Sequence, residues 1–174
     1  MYVLLILIII GFTIPGILNS EEEQSISPRV CQTDADCYLV CKNQPVAVLC
    51  SQNLCQQNSC DQKNEYNYTQ TATSIKLIID INNQKLNLNN RSNKNNFFIT
   101  FYDDKVDLYS RTLSLNQILE KINLRIDSQC LTIDTTKYCS EGNKTIKMII
   151  NGTEQFPNGA YIPQNQESIE LKYI

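Results

Sequence analysis

The chain contains no histidine and no tryptophan. Without histidine there is no imidazole base, no Ser-His or Cys-His nucleophile pair and no imidazole metal ligand. No Cys-x-x-Cys occurs, although there are eight cysteines. The close thiolate spacing of thioredoxin-type redox sites and most zinc knuckles is therefore missing. There is no Gly-rich phosphate loop and no internal repeat. Nor is there a basic stripe: 15 Lys and Arg face 18 Asp and Glu, for a net charge of -3. A nucleic-acid partner is not expected of such a chain.

What is present suits a packed chain of 174 residues, 42% hydrophobic and 19% charged, long enough for one domain and a smaller piece. Its first twenty residues, "MYVLLILIIIGFTIPGILNS", are apolar from Tyr2 to Leu18 apart from Gly11, Thr13 and Pro15-Gly16. That run is close to the ~20 residues a membrane helix needs. Ser20 suits a signal-peptide cut, and Pro15-Gly16 would break a helix just before it. No Lys or Arg precedes the run, so an uncleaved anchor through residues 2–18 is the alternative. Both readings put residues 21–174 outside the cytoplasm, secreted or anchored to the membrane by the N-terminus. A buried helix of a cytosolic domain fits badly, because the run has no amphipathic period. Four Asn-x-Ser/Thr sequons, at Asn67, Asn90, Asn143 and Asn151, fit an exported glycoprotein. Asn151-Gly152 also reads as a turn pair.

Beyond the signal or anchor (1–20) and a short tether (21–30), six cysteines fall within residues 31–60, spaced C-x5-C-x3-C-x8-C-x4-C-x4-C. An even number of cysteines in a short exported segment with few core residues is the mark of a disulfide framework. Cys31, Cys37, Cys41, Cys50, Cys55 and Cys60 are therefore expected to form three bridges at roughly 2–4 kcal/mol each. The pairing stays open among about 15 possibilities. A zinc or iron-sulfur site on four of the six is a less specific alternative. Cys130 and Cys139 are expected to close a hairpin or loop. Asp34 and Asp36 suit a solvated loop or local backbone capping better than a cation site. Asp103-Asp104 suits a turn better than a pair of glycosidase carboxylates. Tyr66, Tyr68, Tyr102 and Tyr109 offer either a contact surface or ordinary strand aromatics.

Residues 61–73 are polar, without apolar period, and read as a linker. From Ser74 to Ile174 the texture is alternation. "SIKLIIDI" puts Ile75, Leu77, Ile79 and Ile81 on one face. Asn82-Asn83 can turn the chain into "QKLNL". "FFITFY" and "KVDLY" flank Asp103-Asp104 as a hairpin. "SLNQILEKINL" predicts the one helix, with Leu115, Ile118, Leu119 and Ile122 on one face and a Ser114–Gln117 capping box. "CLTI", "TIKMII" and "SIELKYI" predict further strands. Hairpin, helix, then strands is the order of a β-grasp or a related α+β sheet packed on one helix, preceded by a small disulfide-rich module.

The stretches "LIIDINNQKLNL", "FFITFYDDKVDLYSRTLSLNQIL", "SQCLTIDTTKYC", "TIKMIINGT" and "AYIPQNQESIELKY" follow one another in an order that resembles a family of uncharacterised exported archaeal proteins. The resemblance covers residues 75–173 and implies a β-grasp-like C-terminal domain and an extracytoplasmic address. That family carries hairpin His residues suggestive of a metal site. This chain has none, so the resemblance implies no metal and no cofactor here. The opening Cys31, Asp34, Asp36 and Cys37 also resembles small secreted cysteine-rich modules that begin C-x-x-D-x-D-C. The expected function is binding or surface structure without catalysis, with an unknown protein or surface polymer as ligand. Two alternatives are a cysteine-dependent metal or thiol-redox protein, and an inhibitor-like cysteine knob on a carrier domain.

Overall fold

A computed structural model describes residues 27–91 and 93–174. The expected signal peptide or anchor, most of the tether and the membrane contact through residues 2–18 lie outside the described residues. Among the described residues, no helix is long and apolar enough to cross a membrane.

The fold is α+β and dominated by strands. Four short strands build the cysteine module: β1 (Leu39–Cys41) pairs with β2 (Gln44–Val46), and β3 (Cys50–Ser51) with β4 (Leu54–Cys55). The tight connections need residues that tolerate positive φ. Lys42-Asn43 and Gln52-Asn53 supply it, at 52° and 62° and at 54° and 60°.

The alternation of Ile75, Leu77 and Ile79 produces β5 (Thr73–Ile81), with all three side chains buried. Asn82-Asn83 then turns the chain with φ of 51° and 64°, the left-handed pair of a type I′ hairpin. The return strand is shorter than the sequence suggests. Only β6 (Gln84–Lys85) pairs, and Leu88 leaves the ladder to be buried. β7 (Ile99–Tyr102) and β8 (Lys105–Leu108) form the expected hairpin around Asp103-Asp104, with Asp104 in an exposed ion pair to Lys76.

The helix, α1 (Leu115–Glu120), is six residues long, well short of its periodic run. Its capping box is present: the Gln117 N–H donates to Ser114 Oγ, and the Ser114 N–H to Gln117 Oε1. At the other end, Ile122 and Asn123 donate to carbonyls three residues back, and Asn123 takes φ of 58°. Leu124 therefore leaves as strand β9 (Leu124–Ile126), which pairs with β10 (Cys130–Ile133) and, beyond it, β11 (Thr136–Cys139). The buried Leu115, Ile118 and Leu119 of α1 belong to the same apolar cluster as Leu77, Ile79 and Leu171.

β12 (Ile146–Ile150), β13 (Thr153–Gln155) and β14 (Ser168–Tyr173) complete a seven-stranded sheet in the order β13-β12-β14-β5-β8-β7, with β6 on a side of β5. The first long strand and the last lie side by side and parallel, Leu77 opposite Ile169 and Ile79 opposite Leu171. All other pairs in this sheet are antiparallel. β13 is the open outer edge, and its three residues are exposed.

Candidate functional site

All eight cysteines are paired. Cys31–Cys50, Cys37–Cys55 and Cys41–Cys60 interleave in the module, each spanning 18 or 19 residues. Cys130–Cys139 closes the open end of the β10–β11 hairpin, where the two residues are direct cross-strand partners. Chain constraint of this kind substitutes for core in a short segment. The sulfurs of Cys31, Cys37 and Cys50 lie within 4.8 Å of one another. Each is already bonded to a partner sulfur, whereas a metal ligand or nucleophile must be a thiolate. Disulfides at this density point to an extracellular or otherwise oxidising compartment.

The two aspartates near the first cysteine have separate fates. Asp36 caps its own turn: the Gln32 and Thr33 N–H groups donate to it at 2.9 and 2.8 Å. Those bonds hold its carboxyl below the usual range. Asp34 is not in a solvated loop, as its sequence context suggests, but fully buried. It accepts from the N–H of Cys50 at 2.9 Å, of Phe97 at 2.9 Å and of Phe98 at 3.3 Å, and from Lys121 Nζ at 2.8 Å. Lys121 also donates to the Cys50 carbonyl. This one carboxylate ties the oxidised module to the strand entry at Phe98 and to the end of α1. Glu120 adds to the seam by accepting from Ser51 Oγ and the Gln52 N–H, and Leu49 of the module enters the main apolar cluster. The segment read as a linker is laid against the sheet: Tyr68 stacks on Tyr109 and meets Phe98 edge-on, and the Thr69 N–H donates to the Tyr109 carbonyl. Of the four tyrosines, Tyr66 packs on the core, while Tyr102 stays 51% exposed.

A groove of about 1030 Å³ opens beside β13. Met148 and Ile150 of β12 and Ile126 of β9 line its base; Met148 and Ile126 are buried there, and Ile150 is half-buried. Phe156, 71% exposed, stands on its wall. The opposite wall, residues 157–161, is pinned to the start of α1. The Leu115 N–H donates to the Tyr161 carbonyl at 2.7 Å, and the Asn116 N–H to the Gly159 carbonyl at 2.8 Å. These are N–H groups that a helix start leaves unpaired. Asn116 clamps β9 with both ends of its amide, donating to the Ile126 carbonyl and accepting from its N–H. Gly159 makes the approach possible, because a Cβ there would lie 1.9 Å from Asn116 Nδ2 and 2.6 Å from the Ile126 oxygen. Tyr161 donates to Glu167 at 2.7 Å. Burial, that bond and the Glu167 charge push its hydroxyl up to about 12. Asp127 is the one charged side chain lining the groove among the described residues. The N–H groups of Gln129 and Cys130 hold its carboxyl below the usual range.

Sequence reasoning missed this groove. Its only local traces were an isolated aromatic, Phe156, and the Pro157-Asn158-Gly159 turn. The sequon residues Asn67, Asn90, Asn143 and Asn151 are all exposed, although Ser92 of the Asn90 sequon lies outside the described residues. Asn151 turns β12 into β13 with φ of 50° and accepts from the Ser168 N–H at 2.9 Å. In comparisons with known proteins, no family model, no curated protein and no solved structure matches this chain.

Proposed function

We propose that this chain is an exported, non-catalytic binding protein, released or held at the membrane through residues 2–18, with the groove beside β13 as its binding site. We also propose that residues 74–174 are β-grasp-like and related to the exported archaeal proteins they resemble. The central parallel pairing of β5 with β14 supports that assignment.

The observation that carries the functional reading is the state of the cysteines. Every cysteine sulfur is committed to a disulfide, so thiolate redox chemistry and thiolate metal binding have no free ligand to use. The groove supports binding over catalysis in its own way. It joins the half-buried Ile150 and the exposed Phe156 to a few polar groups, the usual make-up of a recognition site. Its walls are fixed by the Asn116 clamp and the carbonyls of Gly159 and Tyr161. A preformed site loses less entropy when a ligand is ordered on it.

The test is the intact mass of protein recovered from its natural export route, unreduced, before and after thiol alkylation. A mass eight hydrogens below the reduced chain and no alkylation is the expected result for eight paired cysteines. The same spectrum gives the mature N-terminus and any glycan mass. Four or more reactive thiols, or metal retained under native conditions, would overturn the reading in favour of thiolate chemistry.

A further inference from the structure

A second cavity, of about 730 Å³, opens where the cysteine module meets the end of α1 and strands β9 and β10. It shares only Asn116 with the lining of the groove beside β13. Gln32, Gln52 and Asn53 reach it from the module, and Asn123, Arg125 and Thr132 from the end of α1 and the two strands. Four of these are fixed through their backbones. The Gln32 and Gln52 N–H groups donate to Asp36 and Glu120, and the Asn53 and Asn123 carbonyls accept from the N–H groups of Cys31 and Asp134. Their side-chain amides stay exposed. The cleft is thus a rigid frame that presents carboxamides.

Its charges are committed to the fold. Arg91 donates to both oxygens of Asp134 at 3.0 Å. Lys121 is paired with the buried Asp34, and Glu120 accepts from Ser51 and Gln52. Counting Asp34, three cations (Arg91, Lys121 and Arg125) stand with three carboxylates (Asp34, Glu120 and Asp134), so the site is balanced. Of the cations only Arg125 lacks an ion pair among the described residues, and it stands opposite Thr132 on the neighbouring strand. Leu124 is the one aliphatic side chain of the lining and is buried, and no aromatic ring is present. A lipid, an apolar peptide or a nucleobase would find no surface to pack or stack on. A sugar hydroxyl is donor and acceptor on one oxygen, and a carboxamide answers both with its NH2 and C=O. We infer that this cleft binds an uncharged oligosaccharide, held by hydrogen bonds from the amides of Gln32, Gln52, Asn53 and Asn123 and from Thr132 and Arg125.

This rests on the non-catalytic binding role proposed above but not on the groove beside β13. The test screens the full, disulfide-intact protein on a panel of immobilised neutral, acidic and amino-bearing oligosaccharides. The strongest neutral binder is then titrated in solution while backbone amide shifts are followed. Saturable shifts are expected on both sides of the cleft, at Gln32 and Asn53 and at Arg125 and Thr132. Thr132→Val, which keeps the shape and removes the hydroxyl, and Gln32→Ala should each weaken binding about fivefold, the scale of one neutral hydrogen bond. Each variant is used with every cysteine paired; should either fail to fold, the shifts in the unaltered protein decide. Added salt should change the affinity by less than about twofold, because no charge on the ligand is being matched. No neutral binder on the panel, normal binding by both variants, or binding of acidic glycans alone that salt abolishes would overturn the inference. Shifts confined to residues 156–161 would overturn it and leave the groove standing as the binding site. Free thiols in the same sample would overturn the functional reading beneath both.

Discussion

Breaking the ion pair between Asp34 and Lys121 should loosen the cysteine module from the sheet while leaving every disulfide intact. Both side chains are withdrawn from water, with 0% and 5% of their surface exposed. Removing one partner of a buried pair strands the other charge, at a cost of about 3–5 kcal/mol. Lys121→Met should fall at the lower end, because Asp34 keeps its three backbone N–H donors. Asp34→Asn should fall higher. It leaves the Lys121 ammonium with the Cys50 carbonyl alone and turns an amide NH2 toward donors. The double variant should cost less than the sum of the two, by about 2 kcal/mol, since neither charge is then left unpaired. The assay is urea unfolding under non-reducing conditions, with two probes to check that the transition is a single step, and with exchange of the Cys50, Phe97 and Phe98 amides followed in parallel. Single losses below about 1 kcal/mol, or strict additivity in the cycle, would refute the claim that this pair joins the two parts of the fold.

Two further outcomes follow from the groove wall. Gly159→Ala should destabilise the protein by about 1–3 kcal/mol, the usual cost of forcing atoms into a filled space, because the Asn116 clamp and the Ile126 carbonyl occupy the position of the new Cβ. Circular dichroism melting measures it, and a change within error would show that the loop of residues 157–161 is not held as described. Tyr161 should ionise late in an ultraviolet titration of the nine tyrosines, near 12 rather than 10. The sign is that of a raised native pKa. Its contribution to stability is complete below pH 10, the ordinary value, and is lost as pH rises toward about 12. Glu167→Gln should bring the hydroxyl back toward its ordinary value, and an unchanged titration would remove Glu167 as a cause.

The parts of this fold that were legible in the sequence are those specified by neighbours. The alternation of Ile75, Leu77 and Ile79 gives β5, and the Asn82-Asn83 pair gives its turn. The Ser114–Gln117 box starts α1 three residues apart. The Cys130–Cys139 bridge closes a hairpin over nine residues. What was not legible depends on distant partners. The three module bridges have no local signal that chooses among pairings. Helical periodicity continued through Ile122, yet α1 stops at Glu120 because Asn123 enters the left-handed region and Leu124 is taken into β9. Asp34 shows the difference most clearly. Its spacing from Asp36 suggested a pair with one role, and Asp36 does cap within four residues. The partners of Asp34 lie 16, 63, 64 and 87 positions away, beyond any window in which a pattern can be read.

The same partners join oxidation of the module to its docking. Cys50, which is bridged to Cys31, presents its N–H to Asp34 and its C=O to Lys121. Desolvating Asp34 before the Cys50 N–H is in place would leave this buried carboxylate one donor short, which is costly. Oxidation of the module should therefore precede, or accompany, its docking on α1. The polar segment of residues 61–73 then has a physical role beyond spacing. It joins the module to the sheet and packs Tyr68 against Phe98 and Tyr109. Reduction should act in reverse: with Cys31–Cys50 opened, the Asp34 cage loses its fixed Cys50 donor. The amides of Phe97 and Phe98 should then gain exchange before those of β5 and β14, at the centre of the sheet.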